Sequence, residues 1–220
     1  MKLVREILYE NTDYMNYINF TERDTDPIKD MGIGRKLLIE KWLNEIKIND
    51  YKLTKKYSIN VYNSVFLDDE NLSDFPEYIT FNHIMGGFHI KNNNLNSLRG
   101  CPYSVSGSFI SSNNNLTNLK NGPHIVKEVY AASHNRLESL EGIAEIVGRS
   151  IYINNNNLKS LEYIPTIIKG DLDISENPIE TLKYFPSEIE GHLVYTVSEI
   201  LTQETISKHC KVWGHLIEKK

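Results

Sequence analysis

The sequence predicts a solenoid of short parallel strands, stacked rung on rung along one axis. Three observations carry that expectation. Asn93, Asn114, Asn135, Asn156 and Asn177 stand at a constant spacing of 21 residues. Apolar columns keep the same beat: Leu95, Leu116, Leu137, Leu158 and Ile179; Leu98, Leu119, Leu140, Leu161 and Leu182; Phe88, Phe109, Tyr130, Ile151, Leu172 and Leu193; Ile84, Val105, Val126, Val147, Ile168 and Ile189. Pro102, Pro123, Pro165 and Pro186 share a further column, with Ala144 filling its gap. Self-similarity at such a period marks a repeat architecture, and so short a unit buries its apolar face only by stacking on its neighbours.

Each repeat reads as G-x-Φ-x-Φ-x-x-N-x-L-x-x-L-x-x-x-P-x-x-V, where Φ is apolar. The Φ-x-Φ step alternates with period two, as a strand with one buried face does. Phe88 and Ile90 are expected to point inward, His89 and Lys91 outward. The prolines exclude a long helix on the return, because proline lacks a backbone donor and clashes with the preceding turn. The return is therefore expected to be extended, or a short turn of 3-10 helix. A degenerate first rung, "SVFLDDENLSDFPEYI", keeps Val65, Leu67, Leu72 and Phe75 in phase but has Glu70 at the asparagine position. A last rung, "GHLVYTVSEIL", keeps Leu193, Tyr195 and Ile200 and then loses the pattern.

The asparagine column has a physical rationale. Where a strand ends and the chain turns inward, backbone N–H and C=O groups lose their ladder partners, and a buried unpaired group costs roughly 1–3 kcal/mol. Asparagine carries a donor and an acceptor on a short stem. Asn93, Asn114, Asn135, Asn156 and Asn177 are thus expected to bond the backbone of their own turn and of the next rung, forming an asparagine ladder. The flanking Asn92, Asn94, Asn113, Asn115, Asn155 and Asn157 read as solvated turn formers that tolerate unusual backbone angles. Asn155→Ala and Asn157→Ala are expected to have equally small effects on stability.

Residues 1–57 carry no repeat. Within them "RKLLIEKWLNEI", about 35–46, places Ile39, Trp42, Leu43 and Ile46 at helical spacing, and this helix is expected to cap the N-terminal end of the solenoid. "KYSINVYNSVFL" is expected to form a hairpin about Tyr62-Asn63-Ser64. The solenoid spans 58–200 and a small C-terminal cap 201–220. The cap is read as a short helix over 202–210 with Thr202 near its N-cap, then an extended closure in which Trp213, Leu216 and Ile217 cover the last rung.

The motifs "FHIKNNNLNSLRGCP", "FISSNNNLTNLKNGP", "YAASHNRLESLEGIA", "IYINNNNLKSLEYIP" and "LDISENPIETLKYFP" resemble the leucine-rich repeat, in its short bacterial form with a proline-containing return. The resemblance covers about residues 64 to 195 and implies a leucine-rich-repeat solenoid. It implies little about role, because the family is a scaffold that binds many things. The segment "FTERDTDPIKDMGIG", residues 20–34, resembles openings of proteins of large tailed bacteriophages that carry repeats of this type. That likeness implies a phage-encoded accessory protein in the host cytoplasm, or a virion component.

Composition narrows the function classes. A net charge of −5 without a basic cluster disfavours nucleic acid as a partner. Two distant cysteines, Cys101 and Cys210, suggest a reducing compartment rather than a disulfide framework. No stretch is apolar enough to span a membrane, and "MKLVREILYENTDY" does not read as a secretory signal. "GIGRK", 32–36, places G-x-G before a helix but lacks the preceding strand that a phosphate loop needs. Asp24, Asp26 and Asp30 lack calcium-loop spacing, so no metal is expected. Cys210 beside His209 is no catalytic pair, since nucleophile and base must meet in space. The chain is read as a non-enzymatic protein without a cofactor.

What remains is the outer face of the strands. By column it comprises Gly87, Ser108, Val129, Ser150 and Asp171; His89, Ile110, Ala131, Tyr152 and Asp173; Lys91, Ser112, Ser133, Asn154 and Ser175. The face is expected to be polar at its start, apolar in the middle and acidic at its end. His89, Lys91, Ile110, Val129, Tyr152, Asn154, Asp171 and Asp173 are the candidate contacts for a protein partner. At about 4.8 Å per rung the face is roughly 30 Å long, which suits a protein better than a small molecule. Self-association through the face or the ends, as in a structural component of a virion, is the second expectation.

Overall fold

Alternation of inward and outward side chains, repeated every 21 residues, builds two stacks of very short strands. The computed structural model describes residues 27–219; the N-terminal stretch with Asp24 and Asp26 lies outside it. One stack is an eight-stranded parallel sheet. It comprises β3 (Val65–Phe66), β5 (Phe88–His89), β7 (Phe109–Ile110), β9 (Tyr130–Ala131), β11 (Ile151–Tyr152), β13 (Leu172–Asp173), β15 (Leu193–Thr196) and β17 (Leu216–Lys219), in that spatial order. The molecule is therefore a parallel β-solenoid of about eight turns, with two helices among the described residues.

The return segments are extended, and they form strands of their own. β2 (Ile59–Val61), β4 (Phe81–Ile84), β6 (Ser104–Val105), β8 (Ile125–Val126) and β10 (Ile146–Val147) pair in parallel, and β1 (Tyr51–Leu53) joins β2 antiparallel. A separate sheet holds β12 (Ile167–Ile168), β14 (Glu188–Ile189) and β16 (Lys211–Val212). The return stack thus breaks between β10 and β12, while the strand stack opposite runs on through β11 and β13. The apolar columns fill the space between the stacks. Phe88, Phe109, Leu95, Leu98, Leu116, Leu119, Leu158 and Leu172 are completely buried.

Two expectations near the N-terminus are corrected. The hairpin lies between β1 and β2, not about Tyr62-Asn63-Ser64. β2 and β3 join different stacks, so the turn between them carries the chain from the return side to the strand side. The G-x-G of "GIGRK" does not precede a helix; Gly32 and Gly34 lie inside helix α1, Pro27–Glu45. Proline is favoured in the first turn, where its missing N–H would be unpaired anyway, and the helix starts there rather than near 35. It ends in a left-handed residue, Lys47 (φ 59°). Ile48 N–H bonds Leu43 O at 2.8 Å and Lys47 N–H bonds Asn44 O at 3.1 Å, the Schellman arrangement. Ile39, Trp42 and Leu43 are buried, and the Trp42 ring stands 6.1 Å from Phe75 and 6.3 Å from Phe81.

At the other end the parallel ladder runs on past residue 200. Helix α2, Gln203–His209, buries Ile206 and has Thr202 as its N-cap, with reciprocal bonds to Thr205. The chain then adds β16 and β17 as a further turn. Trp213 and Ile217 do not cover the core as expected; they are 63% and 41% exposed, and Leu216 alone of the three packs on it. Ile217 pairs with Val194 of the outward column, so its side chain faces solvent. The Trp213 indole lies under Lys211 Nζ (3.5 Å to the ring centre) and donates to Glu188.

The side chains of the asparagine column bond their own turn and the preceding rung, not the next one. Asn156 is typical. Its Oδ1 accepts Leu137 N–H (3.0 Å) from the rung before. Its Nδ2 donates to Ala132 O of that rung (3.1 Å) and to Ile153 O (3.0 Å) and Asn154 O (3.3 Å) of its own. Asn93, Asn114, Asn135 and Asn177 accept in the same way from Leu72, Leu95, Leu116 and Leu158. Each inner carbonyl from Ile90 to Ile153 serves two amides: Ile90 O takes Asn93 and Asn114, Ser111 O takes Asn114 and Asn135, Ala132 O takes Asn135 and Asn156, and Ile153 O takes Asn156 and Asn177.

Two columns of left-handed residues complete each rung. Asn92, Asn113, His134, Asn155 and Glu176 all have φ between 54° and 58°, immediately before the buried asparagine. Asn155 and Asn157 are therefore not equivalent, contrary to expectation. The second column is Gly100 (φ 92°), Asn121 (65°), Gly142 (93°) and Tyr163 (76°). In each case the N–H of the next residue bonds the leucine carbonyl three back, for example Ile143 N–H to Leu140 O at 2.8 Å. Such turns need positive φ at their third position, which is why glycine and asparagine occupy it. Tyr163 occupies it against its own preference, four residues before the return stack resumes at β12.

Asn156→Ala orphans the buried Leu137 N–H and is expected to destabilise by about 1–3 kcal/mol. Asn155→Ala is expected to cost about 1 kcal/mol, because alanine is strained at positive φ, and Asn157→Ala less than about 0.5 kcal/mol. Urea midpoints of the three variants check the order 156, 155, 157. Tyr163→Gly relieves the same strain and is expected to raise stability by about 0.5–1 kcal/mol, read from the same melts.

Candidate functional site

The register of the eight-stranded sheet fixes what its outer face presents. The pairing aligns Phe66, His89, Ile110, Ala131, Tyr152, Asp173, Val194 and Ile217 in one central row. Candidate contacts His89, Ile110, Tyr152 and Asp173 fall in this row. Val129 and Asp171 precede it, and Lys91 and Asn154 follow it. Backbone groups along the sheet are taken up by the ladder, so an approaching molecule meets side chains.

The charged and polar candidates are largely engaged with one another. Lys91 N–H bonds Asp68 Oδ1 at 2.9 Å, and its ammonium lies 3.8 Å from the same carboxylate. Asn154 Oδ1 accepts the Ser133 hydroxyl at 2.6 Å. Asp171 accepts His192 N–H at 2.8 Å, and the Tyr152 hydroxyl points to it at 3.5 Å. Asp173 is only 9% exposed; it accepts the Ser175 N–H and hydroxyl, and Lys219 of the last strand lies 3.3 Å away. The expected acidic end is thus corrected: a lysine from a turn assigned to the cap reaches back and offsets Asp173.

The apolar part is displaced as well. Ala131 is buried between its neighbours, whereas Phe66 is 64% exposed; Tyr62 and Met85, exposed as well, follow the return strands β2 and β4. The Phe66 ring meets the His89 ring edge-on at 4.8 Å. His89 is partly buried, and that desolvation holds its imidazole below the usual value; Asp68 opposes the shift and Lys91 adds to it. The apolar centre therefore lies on the first three strands, about Phe66, His89 and Ile110. Strand alternation in "SVFLDD" places Phe66 outward once Val65 and Leu67 are inward. The first rung is 23 residues long rather than 21 (Val65 pairs with Phe88), so the outer-face columns counted from Gly87 and His89 leave Phe66 out.

Other chemistry is sparse. Cys101 and Cys210 are free and buried. Burial pushes both thiols up, that of Cys210 to about 11, so neither is a thiolate at neutral pH. His209 Nδ1 lies 2.8 Å from Thr205 O rather than facing Cys210. Among the described residues no group of three His, Cys, Asp or Glu side chains converges on a metal position, and no helix is long and apolar enough to cross a membrane. An open cleft of about 530 Å³ on the return side is lined by Lys120, His124, Glu141, Glu145 and Tyr163, among others. Its ions are already paired, Lys120 with Glu141 at 2.9 Å and His124 with Glu145 at 3.1 Å.

The histidine shift sets a pH dependence. With its folded value below about 6.5, His89 favours the neutral imidazole, so the unfolded chain takes up the proton first. Stability is expected to be full above that value and to fall as pH drops through it. Thermal melts between pH 8 and 5 should show less of this loss in His89→Gln.

Compared with protein-family models, curated proteins and solved structures, the chain matches none.

Proposed function

We propose that this chain is a leucine-rich-repeat solenoid that binds a protein partner through its strand face and carries out no catalysis of its own. The observation that carries the reading is the apolar pair of exposed Phe66 and partly exposed Ile110 on a sheet where Lys91 and Asp173 are already ion-paired. Phenylalanine, tyrosine and methionine are enriched at interface centres, and charged residues are depleted there. On this reading the stacked side-chain bonds of Asn93 to Asn177 act as an asparagine ladder that keeps the face flat. α1 and the last turn act as caps. The resemblance of residues 20–34 to phage proteins supports, on this reading, a phage-encoded protein acting in the cytoplasm of the host cell.

The test is capture of a partner from host cells with the full chain as bait. Phe66→Asp and Ile110→Asp are expected to weaken capture at least tenfold, since central anchors dominate binding energy. Ile146→Asp, on the return side, is expected to leave it unchanged. Capture that is indifferent to Phe66 and Ile110 sinks the strand-face reading. The second reading, a structural component of a virion, draws on a different surface. Ile146, Tyr163 and Ile167 are all exposed where the return stack is broken. It predicts stoichiometric protein in purified particles, with contacts sensitive to Ile146→Asp.

A further inference from the structure

The cleft on the return side, about 530 Å³, takes its shape from three neighbouring columns of the repeat. One wall is the Lys120–Glu141 pair at 2.9 Å and the other the His124–Glu145 pair at 3.1 Å, each spanning the same two rungs. Between the walls runs the column of left-handed residues, Gly100, Asn121, Gly142 and Tyr163. Gly142 forms the floor. A Cβ there would stand 2.4 Å from Leu119 O and 2.6 Å from Lys120 Cα, so the position takes no side chain. One rung further on, the same column supplies a phenol ring, and Tyr163 forms the end wall.

Tyr163 is the anomaly of the cleft. A bulky side chain at φ 76° is strained, and glycine or asparagine fills the other positions of the column. The ring gains no core packing in return: it is 56% exposed and lies outside the core and the apolar side chains packed on it. Strain that the fold itself does not use points to a ligand contact. The walls select the chemistry of that ligand. Each carboxylate already faces a nitrogen, so a cation would compete with Lys120 and His124, and an anion would meet two carboxylates. Hydrogen-bonding capacity remains, because an ammonium has three donors and a carboxylate about four lone-pair sites. A neutral molecule dense in hydroxyls can therefore bond both walls without breaking either pair. His124 is held in place for this by the Tyr103 ring stacked on it at 4.8 Å. The volume lies within the roughly 300–1,000 Å³ of small-molecule sites. We propose that the cleft binds a neutral saccharide, with the C–H face of one sugar ring on Tyr163 and its hydroxyls bonded to Lys120, Glu141 and Glu145.

The experiment titrates the full chain with neutral trisaccharides of glucose, galactose, mannose and N-acetylglucosamine, following the backbone amide resonances of Gly142 and Ile143. At least one sugar is expected to shift both amides to saturation. Tyr163→Gly removes the ring and relieves the strain, so its urea midpoint should rise while its affinity for that sugar falls about tenfold or more. Tyr163→Asn, which also tolerates positive φ, is expected to lose affinity in the same way. Tyr163→Phe keeps the ring face and is expected to bind within about threefold of the wild type. The opposite movement of stability and affinity in Tyr163→Gly separates a ligand contact from a structural residue. The proposal is overturned if no sugar of the set shifts the two amides, or if Tyr163→Gly and Tyr163→Asn bind as the wild type does. It is equally overturned if spermidine or inorganic phosphate saturates the same amides at lower concentration than any sugar. The titration reads the return side alone and partner capture reads the strand face alone, so failure of one proposal is distinct from failure of the other.

Discussion

Every rung turns inward after a very short strand, and each turn leaves a carbonyl facing into the stack. The amides of Asn93, Asn114, Asn135, Asn156 and Asn177 answer those carbonyls, and their oxygens answer the leucine N–H of the rung before. Because each inner carbonyl from Ile90 to Ile153 serves two amides, a change in one rung's height would loosen bonds in two. The rest of the structure depends on that coupling. Two-residue strands make few ladder bonds, so the strand stack needs a second set of bonds to hold its register. The leucine columns then fill a core whose width the two stacks set.

With register fixed, the sheet face becomes a plane whose chemistry is decided row by row. Two of its charges are answered within the molecule: Lys91 is held by Asp68, and Asp173 by Lys219, which lies some two rungs further on. Asp171 takes the His192 N–H and the Tyr152 hydroxyl instead, and the apolar weight of the face lies at the first strands. The return side behaves differently. There the stack is interrupted, Tyr163 sits at a strained angle and Ile146 and Ile167 face solvent. The two sides of one solenoid thus present different surfaces, one continuous and one broken.

Much of this was legible in the residues. Strict spacing of Asn, Leu and Phe yields the parallel stack, the inward and outward phases and the buried asparagines, because a period-two strand inside a fixed repeat leaves no other assignment. Helix α2 and its Thr202 cap followed from local chemistry. The misses have physical causes. The hairpin was placed at Tyr62-Asn63-Ser64 because alternation shows a strand but not its partner. Asn155 and Asn157 looked alike because the positive φ at 155 is set by the turn, not by the residue. Phe66 stands outside the 21-residue outer-face columns because its rung is 23 residues long, although its inward neighbours Val65 and Leu67 are legible.

The sequence by itself determined the repeat: which residues of the 21-residue units face the core, and that asparagine stands at their inner corner. Tertiary structure alone decided which outward groups remain available. Asp173 reads as a free acid until Lys219 is brought beside it across the stack. Glu218 reads as a surface charge until the register places it under Tyr195, at the next position of the core column. Both assignments depend on contacts between rungs, and spacing within one rung carries no information about what its neighbour supplies.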